Sequence, residues 1–173
     1  MQPTFASSRI LLPVKPWFVY TTLFVGLMLN FLVPASWPAV PDWVALILCF
    51  WNVREFRRVG MGWAFMLGLV MDVANSAALG QHALAYVVLA YLASTLSRRI
   101  LWFPLAQQAL HILPLLLVVQ IIQALIRLAT GSGTPEWTYF AGPFIAALIW
   151  VPVTYLLLLP QYRPAEQDPN RPI

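Results

Sequence analysis

The chain has 173 residues, of which 61% are hydrophobic and 9% are charged, and its formal net charge is +4. An ordinary soluble domain is about one quarter charged and could not hide this much apolar surface from water, so the composition excludes a soluble globular protein. The sequence has neither a basic helix nor an aromatic RNA-binding motif, so the positive charge does not indicate a nucleic-acid partner.

The apolar residues form blocks of membrane-spanning length, separated by short polar segments, and do not alternate as in strands. This pattern predicts one all-α integral membrane domain over residues 1–160. We predict a bundle of six transmembrane helices, at about residues 17–33, 40–53, 61–79, 82–96, 105–128 and 139–159. Residues 161–173 are rich in proline and polar side chains, which predicts a disordered tail.

The first apolar block superficially resembles a secretory signal. Arg9 and Lys15 precede it, and it ends in the Leu-Val-Pro-Ala sequence of residues 32–35. The block is longer than the apolar core of a usual signal, and further apolar blocks follow it. We therefore expect a retained first span, beginning at Trp17.

The second span is the shortest. Its apolar core, residues 43–53, would extend roughly 16 Å as a helix, which is too short for a hydrocarbon core about 30 Å thick. Two interpretations remain open: the helix begins earlier, near Trp37, or it is a tilted or partly re-entrant segment that its neighbours support.

The positions of lysine and arginine test the number of crossings, because these residues concentrate in cytoplasmic loops. With six crossings and the N-terminus inside, every lysine and arginine except Arg127 falls on the cytoplasmic side, and so does the C-terminus. The densest cluster, Arg54, Arg57 and Arg58, follows the second span. Without that span the cluster would lie on the opposite side from Lys15, so the charges indicate that the short segment crosses.

Asp72 is the only acidic residue inside a predicted span. A carboxylate in hydrocarbon is costly, which indicates a functional or tightly paired residue. Gly68, Asp72 and Asn75 share one face of the third helix, and the small residues of this face would let a partner helix approach closely. Asp72 either caps or holds helices together without chemistry, or it takes part in proton or ion translocation. The structural role is favoured, because translocation usually needs a chain of ionisable groups.

Candidate polar partners for Asp72 lie on the fifth helix, where Gln120, Gln123 and Arg127 share a face at a similar depth. The two histidines, His82 and His111, are too far apart in the predicted topology for one metal site. Neither is expected to have an acid beside it, so each should make a local hydrogen bond.

Motifs for catalysis and cofactor binding are missing from the sequence. It contains no P-loop, nucleotide-binding glycine fingerprint, serine elbow or helical metal-binding pair. The one cysteine, Cys49, lies in an apolar run and is expected to serve packing. We therefore predict neither an enzymatic activity nor a bound cofactor or metal.

Residues 68–84, with the sequence GLVMDVANSAALGQHAL, resemble the rod shape-determining protein MreD family. That family has a glycine, an aspartate four residues later and a second glycine that opens the next helix, as Gly68, Asp72 and Gly80 do here. Residues 53–62, VREFRRVGMG, are similar to the form found in Gram-negative members. The likeness in length, span number and motif position extends over nearly the whole chain.

The resemblance implies a non-enzymatic inner-membrane component of the rod complex, which elongates the peptidoglycan wall. Family members associate with the bitopic protein MreC and, through it, with the MreB filament, the transglycosylase RodA and a class B penicillin-binding transpeptidase. The family's fold is similar to the six-helix substrate-binding subunit of energy-coupling-factor transporters.

The leading hypothesis is therefore a scaffold that rod shape requires through binding of MreC. Its competitor is a small-ligand-binding membrane subunit of a vitamin-type transporter, and a scaffold that also binds a lipid-linked precursor is a third possibility. On the scaffold hypothesis, the cluster of Arg54, Arg57 and Arg58 either docks cytoplasmic proteins or anionic membrane lipid, or is only solvated flanking charge.

Overall fold

The structure is a computed structural model, and it describes residues 14–32, 40–133 and 136–161. Over these residues the chain forms six α-helices: α1 (Pro16–Leu32), α2 (Trp43–Glu55), α3 (Met61–Ala74), α4 (Gln81–Leu101), α5 (Leu105–Ala129) and α6 (Gly142–Leu158). Two short 3-10 helices, Trp137–Ala141 and Leu159–Gln161, flank α6. The all-helical class is thereby confirmed. Arg9, the alternative helix start near Trp37 and all of the predicted tail beyond Gln161 lie outside the described residues.

Two helices end at other positions than the sequence predicted. α3 ends at Ala74, not at residue 79, because the chain then turns through Ser76 and Gly80, whose φ angles are 50° and 98°. Such left-handed backbone cannot continue a right-handed helix. α4 continues to Leu101, past the predicted end at residue 96. Arg98 and Arg99 lie in its last turn, where positive charge interacts favourably with the helix dipole.

The length of the apolar helices and the apolar outer surface of the bundle identify a membrane protein. Three helical segments, Gln81–Leu101, Leu105–Ala129 and Trp137–Gln161, are long and apolar enough to cross a bilayer, and α1 and α3 are apolar but shorter. Large apolar side chains are exposed on the outer surface of the bundle, among them Phe24, Met66 and Leu148. Contiguous apolar surface of this kind suits contact with lipid and not with water.

α2 is the central helix of the bundle. Every residue from 44 to 53 is buried, and α2 contacts α1, α4, α5 and α6. A helix that is hydrophobic on all sides is expected to be buried in this way. Its 13 residues extend about 20 Å, so its neighbours enclose a helix shorter than the bundle around it. Near the C-terminal end of α2, Trp51 packs edge-on against Phe50 with ring centroids 4.9 Å apart. The Trp51 side chain also donates a hydrogen bond of 2.8 Å to Thr22 Oγ1 on α1.

Consecutive helices run in opposite directions, so the charged residues collect at two ends. We call one end of the bundle the acidic end, defined by Asp42, Asp72 and Glu136, where Arg127 also lies. The other is the basic end, defined by Lys15, Arg54, Arg57, Arg58, Arg98 and Arg99. Contacts at both ends fix this arrangement: Asn30 bonds to Asp42 at the acidic end, and Arg58 donates to the Val14 carbonyl at the basic end.

α3 and α4 approach each other very closely at Gly68. A Cβ atom added at Gly68 would lie 2.8 Å from the carbonyl carbon of His82 and closer still to the backbone of Ala83. Real Cβ atoms do not approach so closely, and a backbone cannot rotate out of the way as a side chain can. The partner helix that the small residues of α3 predicted is therefore α4, and Gly68 is where the two backbones meet.

We predict that Gly68→Ala destabilises the protein by about 3 kcal/mol or more, because overpacking at a rigid backbone contact forces α3 away from α4. The matched control is Gly62→Ala, on the same helix, where an added Cβ would meet nothing within 4 Å. Thermal unfolding of both variants in one detergent measures the difference. Equal melting temperatures for the two would contradict the close contact.

Candidate functional site

The carboxylate of Asp72 caps a helix to which it does not belong. Asp72 is fully buried in α3, and its two oxygens accept hydrogen bonds from the backbone N–H groups of Gly80 (2.8 Å), His82 (2.6 Å) and Ala83 (3.4 Å). These groups open α4 and have no partner within that helix. The positive end of the helix dipole also favours a negative charge here. Asp72 therefore joins α3 to the start of α4.

His82 makes a further bond to the same carboxylate. Its Nδ1 lies 2.8 Å from Asp72 Oδ1, and because a carboxylate accepts, Nδ1 donates. The expectation that no acid lies beside His82 is wrong. The left-handed turn through Ser76 and Gly80 folds the chain back, which brings the start of α4 beside the carboxylate on α3.

A second carboxylate, Asp42, caps α2. Its Oδ1 accepts from the backbone N–H of Ala45 and from Asn30 Nδ2, both at 3.0 Å, and its Oδ2 accepts from the Tyr86 hydroxyl at 2.7 Å. Asn30 Oδ1 in turn accepts from the N–H of Trp43 at 2.9 Å. Asp42 thus links α1, α2 and α4. This role of Asp42 was not predicted, although an aspartate directly before an apolar run is a common N-cap signal.

The predicted polar partners on α5 have other contacts. None of the hydrogen bonds described for Asp72 involves Gln120, Gln123 or Arg127, because α3 and α5 each pack mainly on α4. Gln123 Oε1 instead accepts a 2.5 Å bond from the Tyr139 hydroxyl, and the Arg127 guanidinium lies over the same ring, 5.2 Å from its centroid. These two residues connect α5 to the segment before α6.

Gln120 is buried next to Asp42. Its Oε1 has no hydrogen-bond partner within the described part of the chain, and the residue lines a space of about 10 Å³ between α2, α5 and α6. A space of this size holds about one water molecule. A single water would satisfy Gln120, whereas an organic ligand would not fit there.

The remaining motif positions differ in what they do. Gly80 takes a left-handed φ of 98°, which favours glycine, and presents its N–H to Asp72. Asn75 is exposed at the end of α3, and no hydrogen bond of its side chain is found over the described residues. Gly68, Asp72 and Gly80 therefore act together at the α3–α4 junction, and Asn75 lies outside it.

The three arginines after α2 have different surroundings. Arg54 lies over the ring of Phe50, 5.2 Å from its centroid. Arg58 Nε lies 3.6 Å from Glu55 Oε2, and Arg58 Nη1 donates a 3.0 Å hydrogen bond to the Val14 carbonyl. Arg57 is exposed and makes no ion pair or hydrogen bond with any residue that the structure describes. Arg58 thus joins the end of α2 to the residues before α1, Arg54 packs on its own helix, and Arg57 faces outward.

The arrangement of polar groups is structural in character. Within the described ranges, no group of three histidine, cysteine, aspartate or glutamate residues could hold a metal ion. His111 makes the expected local bond, from Nδ1 to the Gln107 carbonyl at 2.9 Å, and Cys49 is buried in α2 as expected. The buried carboxylates bind backbone N–H groups, so the site joins helices.

Comparisons with known proteins agree with the resemblance seen in the sequence. The sequence model of a family described as rod shape-determining protein MreD matches residues 8–159. The chain is also similar to the rod shape-determining protein MreD of Haemophilus influenzae, with 28% identity over 154 residues that cover 84% of this chain and 91% of that protein. No solved structure matches the chain.

We predict that Asp72→Asn lowers the stability by about 3 kcal/mol, because it removes charge-assisted hydrogen bonds worth roughly 1.5–3 kcal/mol each and turns an amide NH₂ toward backbone donors. The change preserves side-chain volume, so packing is not altered. Hydrogen exchange in the first turn of α4, together with the melting temperature in detergent, measures the loss. Asn75→Ala, three residues away and exposed, should leave both values unchanged. Protection of this turn in Asp72→Asn equal to that of the parent protein would contradict the cap.

Proposed function

Because the chain belongs to the rod shape-determining protein MreD family, we propose that it is a non-catalytic scaffold of the cell-wall elongation complex in the bacterial inner membrane. Its role is to bind MreC, and through MreC to keep MreB, RodA and a class B penicillin-binding transpeptidase in one assembly. Rod cell shape depends on that assembly. The match over residues 8–159 is the basis for the shape-determining role.

The use of the buried carboxylates is the observation that carries the scaffold assignment. Asp42 and Asp72 both cap helices, and neither faces a cavity that could take a substrate. Outside this internal network the bundle exposes apolar side chains along its helices and arginines at the basic end. A protein of this kind interacts through its outer surface, by helix packing in the membrane and by charge at its boundary.

The alternative, a small-ligand-binding subunit of a vitamin-type transporter, requires a pocket. Sites for small molecules have volumes of about 300–1,000 Å³ and contain a few polar groups that orient the ligand. The space beside Asp42 is about 10 Å³, and Asp72 is fully buried against α4. Neither carboxylate is available to orient a vitamin-sized ligand. A larger space of about 450 Å³ lies between α4 and α5, but it is an open groove whose wall is mostly apolar. These features favour the scaffold.

We further propose that the basic end faces the cytoplasm, as the distribution of lysine and arginine favours. The N-terminus and the C-terminus then both lie in the cytoplasm, and the acidic end faces the opposite compartment. In that orientation Arg57 and its neighbours are presented to cytoplasmic proteins and to anionic headgroups.

Depletion of this protein from a rod-shaped bacterium that encodes it should make the cells wider and finally round, because wall elongation loses its scaffold. Cell width over successive generations is the measurement, and MreC should co-purify with the protein in mild detergent. Expression of the parent chain or of Gly62→Ala should restore width, whereas Gly68→Ala should not. Normal rods after complete depletion would contradict the proposed role.

The orientation has its own test in single cysteine substitutions at exposed positions. Ser132→Cys, in the α5–α6 connection, should react with a membrane-impermeant maleimide in intact spheroplasts. Arg57→Cys should react only after permeabilisation. Cys49 is buried, so the parent chain measures the background. The reverse labelling pattern would contradict the proposed orientation.

A further inference from the structure

A groove of about 450 Å³ lies between α4 and α5 near the basic end, far along both helices from the capped carboxylates. Its wall on α4 comprises Leu96, Arg99 and Ile100, and its wall on α5 includes Leu110 and His111. No residue of the α3–α4 junction contributes to it. The groove is therefore a separate feature from the site described above.

Arg99 is the one full charge among the residues that line the groove. Arg99 is exposed and has no acidic or hydrogen-bonding partner within the residues that the structure describes. The one described acid at the basic end, Glu55, already lies 3.6 Å from Arg58. A guanidinium that lines a groove and has no carboxylate beside it is complementary to an anion, and its planar set of donors fits a phosphate especially well.

The rest of the groove is apolar and open at the side of the bundle. Leu110 is 69% exposed, and Leu96, Ile100 and Leu115 complete the apolar surface. Pro114, also in the wall, has no N–H, so the Leu110 carbonyl lacks its usual intrahelical donor at this point of α5. Such a surface suits a hydrocarbon chain that runs alongside the helices.

Trp102 marks the depth of the groove in the membrane, and the His111 ring in the groove wall is held by contacts of its own. Trp102, directly after α4, is 93% exposed, and tryptophan is enriched where the hydrocarbon meets the headgroups. The His111 ring stacks on Phe103 at a centroid distance of 4.5 Å, and because a carbonyl accepts, its Nδ1 donates to Gln107.

We propose that this groove binds one anionic phospholipid, with its phosphate at Arg99 and an acyl chain along Leu110 and Pro114. The proposal goes beyond the scaffold role. It rests on the proposed function only for the orientation of the bundle, which places the lipid in the cytoplasmic leaflet. Basic pockets between transmembrane helices on that side are typical sites for acidic headgroups. The bound lipid would fill the space that α4 and α5 leave open next to Pro114.

Native mass spectrometry of the purified full-length chain tests the proposal, with phosphatidylglycerol and phosphatidylethanolamine of identical acyl chains as probes. The parent chain should bind the anionic lipid about fivefold more tightly, as expected for one arginine near a headgroup. Arg99→Gln should abolish that preference. Arg98→Gln is the matched control, because it removes the same charge from the neighbouring position, which is not part of the groove.

The apolar part of the groove needs a second pair of variants. Leu110→Asn should weaken the binding of both lipids, whereas Leu125→Asn, at an exposed position of α5 outside the groove, should not. Equal affinity of the parent chain for the two lipids would overturn the proposal, and so would equal losses in Arg98→Gln and Arg99→Gln. Co-purification of the same variants with MreC is a separate readout, so a failure of the lipid site and a failure of the scaffold role are distinguishable.

Discussion

The bond between the Asp72 carboxylate and the first N–H groups of α4 is the interaction on which the rest of the bundle depends. A helix end that is buried inside the protein has no water to satisfy its free N–H groups, so another part of the protein must supply the acceptor. α3 supplies it, and can do so only because Gly68 lets the two backbones meet one turn earlier. Gly80 completes the junction with the left-handed turn that returns the chain to the carboxylate. The glycine–aspartate–glycine spacing is thus one structural unit.

Asp42 solves the same problem for α2 in a different way. It caps its own helix, whereas Asp72 caps a neighbour, and both lie at the acidic end, where α2 and α4 begin. Tyr86 connects the two caps: its hydroxyl donates to Asp42, and its ring lies edge-on to His82, 6.0 Å away. The connection runs through α4, which also packs on α2, α3 and α5. The short central helix is therefore held at its start by hydrogen bonds and along its length by burial.

The number, class and approximate position of the helices were predictable, because apolar blocks and charged boundaries depend on local sequence alone. The ends of α3 and α4 were not. The turn after Ala74 depends on Ser76 adopting a left-handed conformation, and the Arg98-Arg99 pair belongs to a helix end that composition alone interprets as a loop. Of the site, Asp72 and its glycines were identified as a unit, but its partner was sought on α5. Depth along a helix can be estimated from sequence, whereas which helices are neighbours depends on the whole packing.

The positions of the polar groups in the bundle suit a scaffold. A buried carboxylate that already accepts backbone N–H bonds is stabilised in its place, and releasing it for transport or catalysis would leave the start of a helix unsatisfied inside the protein. The bundle therefore gains rigidity from its buried carboxylates and does not expose them as reactive groups. What remains available is on the outside: apolar helix faces, and at the basic end cations such as Arg57 and Arg99 without partners among the described residues. A rigid bundle with this surface is suited to holding other membrane components in fixed positions.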